Sequence, residues 1–275
     1  MGLISFVELN VWLDIIFTAM WFGIVIFLAL HFTLYITTGR FKKNFIEGNW
    51  PHHDARPPAT PKWLHAVHMT SMIILGFTGM YLRFPFFVSN RLIMRNIHYV
   101  FMIIVIVFLV WRIWYAFFSK TNADWREFAV GKKDLQSMLG VAKYYGYFSN
   151  DKPHVAKYNV MQKLSYNMFL YMMIAQAITG LLIWRLQVPI ASVSIYGLTA
   201  GILGGTGVWA LRTVHYVINW LFIIFTTVHF YLAATADLPC ALDFFGVKEM
   251  DVYPDEGHHS DDHDATPAHP EPQTV

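Results

Sequence analysis

Apolar residues run along this chain in long stretches, not at alternate positions or on one narrow helical face. Five stretches reach the roughly 20 residues that a bilayer span needs. They cover about 12–36, 64–84, 97–118, 164–185 and 209–233. The pattern predicts an all-α integral membrane protein with five transmembrane helices. Between the second and third stretches lies only a short turn. Between the third and fourth, DWREFAVGKKDLQSMLGVAKYYGYF mixes basic and apolar residues at roughly helical spacing, which predicts a segment lying along the membrane surface. The connector 37–63 contains PHHDARPPATP and is expected to be irregular. The segment VPIASVSIYGLTAGILGGTG before the last stretch is apolar but rich in glycine. It is expected to be an interfacial or partner-covered loop, not a sixth span.

Charge adds an orientation. Only 14% of the 275 residues are charged and 56% are hydrophobic, against about 25% charged in a soluble domain. The segment 37–63 holds Arg40, Lys42, Lys43, Arg56 and Lys62, and 119–163 holds eight further Lys or Arg. The first eleven residues and 186–208 hold none, although the 83–96 turn carries Arg83, Arg91 and Arg95. Basic loops mark the cytoplasmic side, so the expected topology has the N-terminus outside and the C-terminus cytoplasmic. A basic leader and cleavage site are missing, so the first stretch is expected to remain as a span. The single cysteine, Cys240, excludes an internal disulfide, a cysteine-ligated iron–sulfur cluster and CxxCH haem attachment within this chain. Residues 255–275 are acidic and rich in His and Pro, the composition of a disordered tail.

Histidines carry the candidate chemistry. The last stretch, TVHYVINWLFIIFTTVHFYL, places His215 and His229 fourteen residues apart. That is about 21 Å along a helix and nearly a return to the same face. On the predicted topology His98 shares the outer depth with His215, and His65 or His68 shares the inner depth with His229. Ionisable groups inside a membrane are functional by default, and imidazole is a haem-iron ligand. Two depth-matched pairs therefore predict two b-type haems stacked across the membrane. Arg83, Arg91, Arg95 and Arg212 on the outer side and Arg112 towards the inner end are candidates to neutralise haem propionates. His31 has no obvious partner. His52, His53 and His154 are expected to be solvated loop residues, as are the tail histidines.

Four features in order resemble the di-haem cytochrome b subunits of membrane-bound nickel–iron hydrogenases, and more loosely those of formate dehydrogenase-N and thiosulfate reductase. They are His65 followed fourteen residues later by Gly79 in a Thr-Gly pair; IHYV…WRIWYAF with His98 and Arg112; YNVMQK entering the fourth span, with a second Thr-Gly pair at 179–180; and H-x13-H on the last helix. The resemblance covers about 60–238. It implies that helices two to five form a four-helix di-haem bundle over 64–238. Around it would lie an extra N-terminal span (1–36), a cytoplasmic connector (37–63) and a cytoplasmic tail (239–275). It favours His65 over His68 as the ligand. It also implies a respiratory role in the cell inner membrane. A catalytic subunit and an iron–sulfur subunit on the outer face would exchange electrons with menaquinone or ubiquinone near the inner haem, where Asn159 matches a quinone contact. Membrane lipid is an expected partner and nucleic acid is not. Helix one departs from the pattern. Alternatives are a five-helix anchor of nitrate reductase or fumarate reductase type, a haem-free transporter and a haem-free membrane anchor. The only acid expected within a span is Asp14.

Overall fold

The computed structural model describes residues 3–51, 56–85, 87, 90–120, 123–149, 158–185, 187–188 and 193–252. His52, His53, His154 and the predicted tail from 255 onwards lie outside the described residues. The chain is built from α1 (Leu3–Thr37), α2 (Ala59–Arg83), α3 (Arg91–Phe118), α4 (Lys132–Tyr145), α5 (Val160–Leu182), α6 (Ile195–Ala236) and α7 (Leu238–Phe244). A π-helical turn, Lys42–Ile46, follows α1, and a 3-10 turn, Trp125–Phe128, precedes α4. Gln187–Val188 pairs antiparallel with Val193–Ser194 as a two-residue ladder; all other regular structure among the described residues is helical.

Among the described residues, three helices are long and apolar enough to cross a membrane: Ser5–Thr37, Arg91–Phe118 and Ile195–Ala236. Helices α2 and α5 have the length, 25 and 23 residues, but more polar residues. Those polar residues have a common destination. His65 and His68 of α2, and Gln162, Asn167 and Gln176 of α5, line one cavity of about 2640 Å³. Helix α2 packs on α3, α3 on α5, α5 on α6 and α6 on α2, which closes a ring of four helices around that cavity.

Helix α1 packs outside this ring, against α6. It is apolar on all sides, so its hydropathy names no face. Burial does: Asp14, Phe17, Trp21, Ile24, Leu28, His31 and Tyr35 are covered while Val11, Ile15, Phe22 and Ile26 are exposed. Alternating steps of three and four are the seam of a two-helix coiled coil. Phe17 stacks with Trp220 at 6.0 Å between centroids and joins a core with Ile224. Trp21 Nε1–H donates to Thr227 Oγ1 at 3.2 Å.

Two connectors differ from expectation. Residues 37–63 are not irregular throughout, because the π-helical turn and the first turns of α2 fall inside them. The glycine-rich segment before the last stretch is helical from 195 onwards and merges into α6 across a break at Gly204 (φ 68°, ψ 177°). Only glycine adopts that backbone freely. Gly207 supplies space, since a Cβ there would lie 2.5 Å from Leu203 Cβ. The expected surface segment forms the 3-10 turn and α4. Lys163, at the start of α5, holds α4 through Asp134 at 2.9 Å. The Gly131 backbone N–H and the Lys163 ammonium keep the Asp134 carboxyl below the usual carboxylate range.

Candidate haem-binding site

The two predicted histidine pairs meet inside the ring. His98 of α3 faces His215 of α6 with ring centroids 6.4 Å apart. His65 of α2 faces His229 of α6 at 6.5 Å. Two metal–imidazole bonds of about 2 Å each, plus the distance from each nitrogen to its ring centre, give about 6 Å across a bis-histidine iron. Both gaps therefore fit an iron between the rings, and all four histidines line the cavity. Its volume far exceeds the roughly 300–1,000 Å³ of a single small-molecule pocket, as two large flat cofactors require.

Threonines fix the outer pair. Thr78 Oγ1 lies 2.9 Å from His98 Nδ1, and Thr179 Oγ1 lies 2.9 Å from His215 Nδ1. Each hydroxyl also donates to a carbonyl in its own helix, Ile74 at 2.7 Å and Ala175 at 2.8 Å. A hydroxyl has one proton, so each oxygen accepts from an imidazole Nδ1–H. That tautomer makes both Nε2 atoms acceptors, as a metal ligand must be, the second-shell arrangement by which proteins orient histidine ligands. His215 Nε2 here accepts from the Gln176 side-chain amide at 3.3 Å, a contact that a metal would replace. A glycine follows each threonine, and at Gly180 the missing Cβ lets the ring approach more closely than a side chain would allow. A Cβ at Gly79 would sit 3.5 Å from His98 Cε1, and one at Gly180 would sit 3.2 Å from His215 Cε1. Thr78 and Thr179 are thus functional residues that the histidine count missed. Their signal is the Thr-Gly pair repeated in α2 and α5, which spacing alone did not connect to histidine.

At the level of His65 and His229, His68 lies on the same helix as His65 without joining the pair. Its Nδ1–H donates to the Leu64 carbonyl at 2.7 Å, and its ring meets Phe108 edge-on. Its Nε2 is buried without a hydrogen-bond partner. The ring facing His229 belongs to His65, which also packs edge-on against Phe244 of α7.

The arginines divide. Arg112 lines the cavity but forms a bidentate pair with Asp124 at 3.1 and 2.9 Å. Arg83 is held by Asp14 of α1, which also accepts from the Tyr216 hydroxyl. Both guanidiniums are thus already paired with a carboxylate. Arg91, Arg95, Arg185 and Arg212 also line the cavity, and no ion pair to a carboxylate is found for them among the described residues. Arg91 donates to the Leu82 carbonyl at 3.2 Å, while Arg185 and Arg212 lie over the Tyr196 ring.

Asn159 does two things. Its Oδ1 accepts from Gln162 N–H at 3.0 Å while Gln162 Oε1 accepts from Asn159 N–H at 2.9 Å, a reciprocal capping box that starts α5. It also lines the cavity, as do Tyr145, Gln162 and His229. His31, expected to be unpartnered, is bonded on both ring nitrogens, to the Tyr231 hydroxyl at 2.6 Å and the Tyr145 carbonyl at 2.8 Å.

No curated protein and no solved structure matches the chain. A family profile described as prokaryotic cytochrome b561 matches residues 58–239, well over half of the chain. That match takes in α2 to α6 and every residue of the two histidine pairs, so the chain belongs to the prokaryotic cytochrome b561 family and is an integral membrane haem b electron-transfer protein.

Proposed function

We propose that this protein is the membrane electron-transfer subunit of an oxidoreductase complex, with two haem b groups and a quinone site. The observation that carries the proposal is the pair of histidine gaps, 6.4 and 6.5 Å, set about 21 Å apart along α6. Bound haem supplies one-electron redox chemistry at each gap. His98 and His215 hold the outer group, and His65 and His229 the inner one. Arg91, Arg95, Arg185 and Arg212 offer positive charge to propionates at the outer end. In this proposal α1, α2, α3, α5 and α6 all span the cell inner membrane, with the N-terminus outside. Polar side chains in α2 and α5 are compatible with spanning because they turn inward.

The inner end of the cavity suits menaquinone or ubiquinone. Asn159, Gln162 and Tyr145 provide polar contacts, and Phe169 and Phe244 provide apolar wall. Burial, aided by the Asp237 and Asp243 carboxylates, pushes the Cys240 thiol up to about 12, and burial with nearby Glu127 and Asp124 pushes the Tyr158 phenol to about 12. Both stay protonated and uncharged near neutral pH, so they line the cavity as neutral groups. The partner is a catalytic subunit with an iron–sulfur subunit on the outer face. Each electron moved between the two levels couples to the membrane potential, worth about 2.3 kcal/mol per 100 mV for a full crossing.

A pyridine haemochrome assay on the purified chain tests this. Two haems per chain are expected, and one or none refutes the double pairing. His215→Ala and His229→Ala are each expected to remove one haem, and retention of both haems in either variant overturns the ligand assignment.

A further inference from the structure

We infer that α1 and the turn that follows it are a positioning element for the quinone pocket, acting through His31 of α1 and Arg40 of the turn on the C-terminal end of α4; this rests on the quinone site proposed above. The last carbonyls of a helix have no partner within it and need one from elsewhere. Here the Tyr144 carbonyl accepts from Tyr147 N–H at 3.2 Å, and His31 of α1 and Arg40 just beyond its end add further donors. His31 lies against the Tyr145 carbonyl, which can only accept, so Nε2 carries the proton and Nδ1 accepts from the Tyr231 hydroxyl. Arg40 donates to the Tyr144 carbonyl at 2.9 Å and the Ser149 carbonyl at 2.8 Å, and its guanidinium lies 4.1 Å from the Tyr144 ring centre.

The clamped backbone is unusual. Tyr147 has φ of 62°, a left-handed conformation uncommon outside glycine. Its hydroxyl reaches His31 Nδ1 at 3.5 Å, and Arg40 lies over its ring at 4.6 Å. Backbone held in such a state persists where its surroundings over-determine it, and such sites cluster at functional positions. What the clamp fixes is Tyr145. Its phenol lies 3.5 Å from Asn159 Nδ2, and both residues form the cavity wall with Gln162 and His229. His31 also bonds Tyr231, two residues beyond His229 on α6. One imidazole on α1 therefore joins the surface helix of the pocket to the helix that carries the inner ligand. Helix α1 lies outside the stretch 58–239 that matches the family.

The test uses the full-length protein in detergent, its haems reduced with dithionite and reoxidised by decylubiquinone or menadione in a stopped-flow instrument. His31→Ala is expected to raise the quinone concentration for half-maximal rate about 2- to 10-fold, the loss of one or two hydrogen bonds, with limiting rate and haem content near wild type. His31→Gln, which retains an N–H donor, is expected to recover part of the shift. Arg40→Gln removes the second clamp from the edge of the membrane and is expected to act in the same direction; it carries the test if His31→Ala loses haem. Asn159→Ala separates the two claims. A shift with Asn159→Ala but none with Arg40→Gln or a haem-replete His31→Ala overturns the positioning role and leaves the quinone site standing. No shift with Asn159→Ala overturns the quinone site and the inference with it. A fall in limiting rate with half-saturation unchanged in the His31 and Arg40 variants also overturns the positioning role.

Discussion

Thr179→Val isolates the tautomer control at the outer histidine pair. Valine keeps the shape of threonine and removes the oxygen that accepts from His215 Nδ1–H at 2.9 Å. The loss is one-sided. The imidazole donor stays buried, and an unsatisfied buried donor costs about 1–3 kcal/mol. The ring escapes that cost by flipping or taking the other tautomer, which turns its Nε2 lone pair away from His98. Weakened second-shell support typically lowers metal affinity about 10- to 100-fold, the same range in free energy. The bound haem changes too. An imidazole no longer donating through Nδ1 stabilises ferric iron less, and about 1 kcal/mol lost from that form alone raises the potential by about 40 mV. Thr179 also bonds back to the Ala175 carbonyl. Such back-bonding slightly weakens a helix, so valine does not harm α5 itself. The assay is a redox titration of the haem absorption bands with a haem count per chain. Thr179→Ser serves as control, because it keeps the acceptor. Partial loss of one haem and a raised potential for what remains are expected, with the other haem unmoved. An unchanged potential at full occupancy, or a shift confined to the haem that His229→Ala removes, refutes the tautomer argument.

Gly180→Ala is expected to disturb the outer haem spectrum more than Gly79→Ala, because its Cβ would press on His215 at 3.2 Å where that at Gly79 would touch His98 at 3.5 Å; absorption spectra of the two variants compare them directly. His65→Ala is expected to abolish one haem while His68→Ala retains both, and a haem count showing the reverse would place the ligand at His68, whose Nε2 is buried without a partner. The depressed Asp134 carboxyl stabilises the docking of α4 above the ordinary carboxylate value of about 3.9, and this contribution disappears as pH falls through the lower folded value. Hydrogen exchange across α4 is expected to quicken over that acidic window in the wild type and to lose that dependence in Asp134→Asn. Asp14→Asn is expected to weaken the outer attachment of α1 by loosening its bonds to Arg83 and Tyr216, seen as faster proteolysis near the N-terminus at unchanged haem content.

How much of this was legible in the chain differs from residue to residue. The H-x13-H of α6 could be read because helical geometry converts a local spacing directly into a shared face. The partners at 98 and 65 could be read because span order gives depth. Partners of charged side chains could not. Arg112 is satisfied by Asp124 from a loop, and Arg83 by Asp14, 69 residues away; only packing brings those groups together. The histidine on α1 looked idle for the same reason, since its partners are 114 and 200 residues distant. The seam on α1 was hard to see because most of its positions are as apolar as the lipid-facing ones, and in a bilayer hydrophobicity does not separate them; the polar Asp14 and His31 that do lie on it are spaced too widely to show a period. The segment after 194 looked like a loop because glycine signals a break, and one break is present; the residues on either side of it remain helical.

That break has a mechanical meaning. Gly204 has no neighbour within 4 Å of the position its missing Cβ would take, so packing does not brace it. Before it lies a short rod with Leu198 and Ile202 exposed; beyond it lies the long rod bearing both α6 histidines. The two rods touch again beyond the break, where Arg212 of the long rod lies over the Tyr196 ring of the short one. The outer end of the helix is thus jointed by a bare glycine and linked by a cation–π contact three residues before His215.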